Sequence, residues 1–177
     1  MDQLGKYRVK IIDALALDGI EQIKSIRKNH PGKKIVFASG CYDLVHSGHV
    51  IFFEQLKQHG DIVVIGLGRD STVKEIKREP VRNEMDRAYL LAAFECIDYV
   101  ILDNDYVVDG KIEFLGVIKT LLPDVFVLNS DDSAIEIKRT LCNELGIAFE
   151  MVDRIVPGFL SMTSTTQIIN KIKNGKY

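Results

Sequence analysis

Short, mainly apolar runs alternate along this chain with longer stretches whose apolar residues recur at helical spacing. Residues 34–39 (KIVFAS), 62–67 (IVVIGL), 98–102 (DYVIL), 125–128 (VFVL) and 148–152 (AFEMV) are runs of the first kind. A strand covered on both faces has no solvent side, so it reads as continuous apolar sequence rather than as alternation. Between them lie amphipathic stretches. Residues 49–58 stop at Gly60, residues 84–96 repeat Met85, Tyr89, Ala92, Ala93 and Cys96 at helical spacing, and residues 117–122 end before Pro123. Ile137, Leu141 and Leu145 mark a helix ending at Gly146, and residues 164–173 mark a last one. Ahead of the first run, Asp18 and Glu21 have the spacing of a capping box, with Ile20, Ile23 and Ile26 as a narrow apolar stripe.

Strand–helix alternation of this kind predicts right-handed βαβ units. The expected fold is α/β: a Rossmann-like parallel five-stranded sheet with helices on both faces, preceded by an N-terminal helical extension over about residues 1–33. No repeat, low-complexity tract or linker divides the chain, and its 177 residues suit one domain over 1–177. Ligands of such sheets lie beyond the carboxyl ends of the strands. That rule points to residues 39–49, 67–71, 128–133 and 152–166.

Charge adds little. A net charge of −2 gives no global attraction to nucleic acid or to an anionic membrane. Cys41, Cys96 and Cys142 are odd in number and form no C-x-x-C pair, so neither a disulfide framework nor a paired-cysteine zinc site is expected, and the compartment reads as reducing and cytoplasmic. No apolar run approaches the ~20 residues of a membrane span, and early aspartates make the N-terminus a poor signal peptide. The most polar stretch, residues 74–87, holds five basic and four acidic residues around Pro80. It is expected to be a solvated loop at the sheet's carboxyl edge and to close over a bound ligand, with Lys77 or Arg82 reaching anionic oxygen.

The chemical signal is the stretch Ser39-Gly40-Cys41-Tyr42-Asp43-Leu44-Val45-His46-Ser47-Gly48-His49. It follows a buried strand and opens a helix. A helix N-terminus presents free N–H groups and the positive end of a dipole, both favourable to phosphate. Gly48 lets the backbone approach an anion closely. Two imidazoles there can donate to phosphate oxygens as charge builds up. The bland alternative is a pair of helix-capping histidines. Zinc ligation by His46, His49 and Cys41 lacks a known ligand spacing, so no metal ligands are assigned. A dinucleotide-binding loop at Gly66-Leu67-Gly68 has Ser71 in place of its third glycine and follows the second strand rather than the first.

With these motifs in order (ASGCYDLVHSGHV, FFEQLKQHGD, RDSTVKEIK, EMDRAYLLAAFECIDYVI and STTQII), residues 34–169 resemble the cytidylyltransferase-like nucleotidyltransferases. Within them the chain is most similar to the nucleotidyltransferase domain of ADP-heptose synthases, with the glycerol-3-phosphate cytidylyltransferases close behind. The resemblance implies the HIGH-superfamily nucleotidyltransferase fold and transfer of a nucleotidyl group from ATP or CTP to a sugar or polyol phosphate. It implies Mg²⁺ with the triphosphate, and a homodimer that engages neither nucleic acid nor membrane. It gives catalytic roles to His46, His49, Lys57 and Arg87, and nucleotide contacts to Ser39, Gly40, Cys41, Tyr42, Asp43, Gly48, Ser164, Thr165 and Thr166. Lys77, Arg82 and Asn129 fall to the acceptor. The chain departs from the resemblance in two places. Residues 128–132 (LNSDD) replace a K-G-G-D-Y-like stretch, and residues 159–163 (FLSMT) replace the R-T-E-G-I that precedes S-T-T. The non-catalytic alternative, a nucleotide-binding regulatory module, would not need His46, Gly48, His49 and Arg87 intact.

Overall fold

The computed structural model describes residues 5–103, 107–108, 111–112, 114–161 and 164–175. Six parallel strands form one sheet: β1 (Ile11–Asp13), β2 (Ile35–Gly40), β3 (Ile62–Leu67), β4 (Tyr99–Leu102), β7 (Val125–Asn129) and β8 (Ala148–Val152), in the order β1-β4-β3-β2-β7-β8. A two-residue hairpin, β5 (Val107–Val108) with β6 (Lys111–Ile112), stands apart as an antiparallel pair.

Alternate residues of each central strand serve opposite faces, which explains the unbroken apolar runs. Ile35, Phe37, Ile62, Val64 and Ile101 join the core under α1 (Gly19–Asn29), α5 (Leu115–Leu121) and α6 (Ile135–Leu145). Val36, Ala38, Val63, Ile65 and Val100 join the opposite core under α2 (Ser47–Leu56) and α4 (Glu84–Ala92). Phe37 is wholly buried, edge-on to Phe114 and Phe126 at 6.1 and 5.1 Å between centroids. Burying one such ring contributes about 1.5–3 kcal/mol. A Cβ on Gly66 would meet Phe37 at 2.6 Å and Phe114 at 2.8 Å, so this glycine serves core packing rather than a dinucleotide loop.

Three expectations need correcting. The sheet has six strands rather than five, because the N-terminal segment is not only helical: Ile11–Asp13 pairs with β4 at the edge. A three-residue strand is too short for its periodicity to show in sequence. Arg69 secures it, with Nε donating to the Asp103 carbonyl at 2.5 Å and Nη2 pairing with Asp13. At the start of α1, Asp18 does not cap the backbone; its carboxylate accepts from Gln22 Nε2 at 2.7 Å, and Ile20 is exposed while Ile23 and Ile26 are buried. Residues 74–76 of the polar stretch end a helix, α3 (Asp70–Ile76), held down by the buried Thr72 and Val73. That tertiary anchor leaves no periodic signal in seven residues.

In chain order the five longer strands run β2, β3, β4 outward on one side and β7, β8 on the other. The direction reverses between β2 and β7, and the crevice at their carboxyl ends is the natural ligand site of a doubly wound sheet.

Candidate active site

The chain leaves β2 through Tyr42, which adopts a left-handed backbone at φ 46°. A non-glycine residue there costs on the order of 1–3 kcal/mol. The buried ring offsets it by packing 5.5 Å from His49 and 5.3 Å from Phe53, centroid to centroid. His46 then caps α2. Its Nδ1 accepts from Gly48 N–H at 3.2 Å, and His49 Nδ1 accepts from His46 N–H at 3.3 Å. The rings lie 4.0 Å apart. An Nδ1 that accepts must hold its lone pair, so in each neutral ring the proton is assigned to Nε2. Both rings are held neutral. Burial, then His46, Arg154 and Lys77, lower the His49 pKa to about 3; burial and then Arg154 lower that of His46. The two imidazoles are therefore N–H donors without charge, each with Nε2 directed away from its own helix start.

His49 opens on a cavity of about 560 Å³ at the β2–β7 crevice. Ser39, Gly40, Cys41, Tyr42 and Asp43 of the signature loop line it, as do Lys77, Asn129, Thr165 and Thr166. Gly48 lines a small adjoining cleft with Ser47, Asn129 and Arg154. Ser164 caps α7 (Thr165–Lys173) in a reciprocal box: its Oγ accepts from Gln167 N–H at 3.2 Å, and its own N–H donates to Gln167 Oε1 at 2.9 Å. Thr165 Oγ1 donates to the Leu44 carbonyl at 3.4 Å, so the starts of α2 and α7 meet the same cavity. Helix-start N–H groups that these caps leave untaken suit a phosphate.

Lys57, Arg87 and Arg82 do not join these residues. Lys57 lies at the opposite edge of the sheet, where its ammonium donates to Asp98 Oδ2 at 2.7 Å and to the Asp61 carbonyl at 3.1 Å, before β3 and β4 begin. Arg87 is 0% exposed. Its guanidinium is spent on the Cys41 carbonyl at 2.5 Å, Asp70 Oδ1 at 2.6 Å and the Arg82 carbonyl at 3.1 Å. It braces the signature loop from beneath and has no face for a nucleotide. Arg82 is exposed and contributes only backbone, its N–H to Asp43 and its carbonyl to Arg87. Helical spacing could not separate these arginines from ligand residues, because their partners lie on other elements.

Three charged cavity-lining residues escaped sequence reasoning: Arg78, Asp132 and Arg154. Arg154 follows β8, pairs with Asp131 at 2.6 Å, and depresses both histidine pKa values. It lies within the stretch that the carboxyl-end rule marks, ten positions before Ser164 rather than five, where the resemblance expects an arginine. Of the segment that replaces that pattern, Met162 and Thr163 lie outside the described residues. Leu128, where the resemblance expects a lysine, is a core residue at 2% exposure.

Two neutral imidazoles thus stand as N–H donors at the start of α2, with Arg154 near both and Lys77 near His49. The cytidylyltransferase-like family matches residues 37–171. The chain belongs to this family of nucleotidyltransferases. It is 37% identical over 150 residues to the bifunctional protein HldE of Campylobacter fetus subsp. fetus, covering 84% of this chain and 30% of that protein. It is 38% identical over 168 residues to the bifunctional protein HldE of Geobacter metallireducens, covering 93% and 31%. The chain thus spans less than a third of the length of these two relatives. Among solved structures, the lipopolysaccharide core biosynthesis protein of Thermoplasma volcanium GSS1 superposes with a TM-score of 0.58 at 27% identity, over 71% of this chain and 99% of that one. Pantoate-beta-alanine ligase from Francisella tularensis, at 19% identity and a TM-score of 0.59 over 93% of this chain and 78% of that one, shares the fold. Among the described residues no helix is long and apolar enough to cross a membrane.

Proposed function

We propose that the chain transfers a nucleotidyl group from ATP or CTP to the phosphate of a sugar phosphate or polyol phosphate, supplying precursors of a surface polysaccharide. An acceptor phosphate oxygen attacks the α-phosphorus in line, one P–O bond forms, the α–β bridging P–O bond breaks, and pyrophosphate leaves with the electron pair. A phosphate monoester is already nucleophilic near neutral pH, so no serine or cysteine nucleophile is needed. The protein's part is positioning and stabilisation of charge. His46 and His49 donate from Nε2 to phosphate oxygens, the starts of α2 and α7 supply backbone N–H groups, and Arg154 and Lys77 offset charge from two sides.

The observation that carries this reading is the division of labour in each imidazole. Nδ1 is committed to the start of α2 while Nε2–H is left for a ligand. The likeness to a lipopolysaccharide core biosynthesis protein supports the polysaccharide setting. Mg²⁺ would come with the triphosphate. No group of three His, Cys, Asp or Glu among the described residues could hold a metal ion, whereas Mg²⁺ commonly rests on substrate phosphates with one or two carboxylates, and Asp132 is a carboxylate lining the cavity. When bound, it would offset charge on the phosphates.

The test is pyrophosphate release across the four nucleoside triphosphates paired with a panel of sugar and polyol phosphates. Release with ATP or CTP and one acceptor class is expected. Nucleotide binding without release for every pair would leave a non-catalytic binding module instead.

A further inference from the structure

Asp43 stands in the signature loop, lines the cavity, and is 6% exposed. A carboxylate in an anion site repels the ligand, so it calls for another reason to be there. Its contacts supply one. Oδ1 accepts from the backbone N–H of Val81 at 2.8 Å and of Arg82 at 3.1 Å. Oδ2 lies 2.7 Å from Arg78 Nη2. This close ion pair holds the Arg78 guanidinium against the same carboxylate. All three contacts fall in the loop joining α3 to α4, and its first two residues, Lys77 and Arg78, line the cavity.

The same loop is tied to the same place from beneath, where Arg87 donates to the carbonyls of both Arg82 and Cys41. The loop follows α3, on the β3 side of the crevice, while Arg154 follows β8 on the far side. Cations thus face the cavity from both flanks. We infer that Asp43 is a positioning residue: it grips the backbone at Val81 and Arg82 so that Lys77 and Arg78 present their charges to a phosphate group from the flank opposite Arg154. The inference takes from the proposed function only that the ligand is anionic.

The amide and alanine variants separate this role from simple charge. D43N and D43A both remove the negative charge, but only D43N keeps an oxygen that can accept from the two backbone N–H groups. Inorganic phosphate is the probe, titrated calorimetrically, so the outcome does not depend on any transferase activity. D43N should bind phosphate ~10-fold or more tightly than D43A, the order expected for losing hydrogen bonds that hold charged groups in place. Equal affinities in D43N and D43A would overturn the inference, since removal of charge alone then accounts for both. Hydrogen exchange of the wild-type protein answers the question even if D43A does not fold. The Val81 and Arg82 amides should exchange more slowly than that of Glu79, and D43N should keep that protection; exchange of both amides at unprotected rates would also overturn it.

Discussion

Arg87 Nη2 lies 2.6 Å from Asp70 Oδ1, with the whole Arg87 side chain excluded from solvent. Asp70 begins α3 and Arg87 belongs to α4, so one ion pair joins the two helices that flank the cavity loop. Reciprocal bonds between Asp70 and Glu84, backbone to carboxylate at 2.9 and 3.1 Å, close the same junction. The arginine's Nη1 reaches the signature loop at the Cys41 carbonyl and its Nε the Arg82 carbonyl, which makes this residue the brace of the site.

Arg87→Ala leaves Asp70 and two carbonyls without their donor. It should destabilise the protein by about 2–4 kcal/mol, the range for breaking a largely buried charged network. Arg87→Lys should recover only part of that, because an ammonium cannot reproduce the guanidinium fork. Urea unfolding measures both. A fully stable Arg87→Ala variant that loses only nucleotide affinity would return Arg87 to direct ligand binding.

His46→Ala and His49→Ala should each lower kcat by ~10²-fold or more, as removal of a charge-stabilising donor does. Circular dichroism should show the fold intact in both. Turnover near the wild-type level in both variants would remove the imidazoles from the chemistry.

The depressed histidines also set a pH dependence of stability. Between the ordinary value of 6.5 and about 3, the unfolded chain takes up a proton that folded His49 refuses. The unfolded state then binds more protons, so stability rises with pH across that window and falls as pH drops through it. His46 acts in the same direction. Above 6.5 neither histidine contributes a slope. Urea unfolding from pH 7.5 down to 4.5 should show the loss, and His49→Asn should flatten it; an unchanged slope in that variant would refute the assignment.

Arg154→Ala removes a cation that disfavours both imidazolium forms. Titration by nuclear magnetic resonance should find both histidine pKa values moved upward. The same variant should weaken triphosphate binding ~10-fold, since a charge-assisted contact to phosphate is lost. A pKa shift without loss of affinity would place Arg154 beside the histidines but outside the ligand's reach.

Lys57→Ala should leave turnover unchanged. Its pair with Asp98 is about one-third exposed on each side, at 33% and 30%, so the cost to stability should be at most ~1 kcal/mol. Asp98 also accepts from Val63 N–H at 2.8 Å and so keeps a partner. A large loss of activity would show that Lys57 acts on the site from across the sheet.

The five apolar runs and the helices between them were legible because burial on two faces, or along one stripe, is written into local periodicity. Ser39–His49 was legible because a loop that leaves a strand and opens a phosphate-binding helix needs its glycines and histidines close together in sequence. Thr165 and Thr166 were legible for the same reason, as residues opening a helix beyond the last strand. The fates of the basic residues were not. Nothing in the sequence around Lys57, Arg82, Arg87 and Arg154 separates a ligand contact from a structural one. What separates them is the partner each meets, and those partners lie 41 residues away for Lys57 with Asp98, 46 for Arg87 with the Cys41 carbonyl, and 39 for the Arg82 amide with Asp43. A charge at the cavity binds a ligand only if no carbonyl or carboxylate of the fold has already taken its donors, and that is decided by which elements the sheet order brings together.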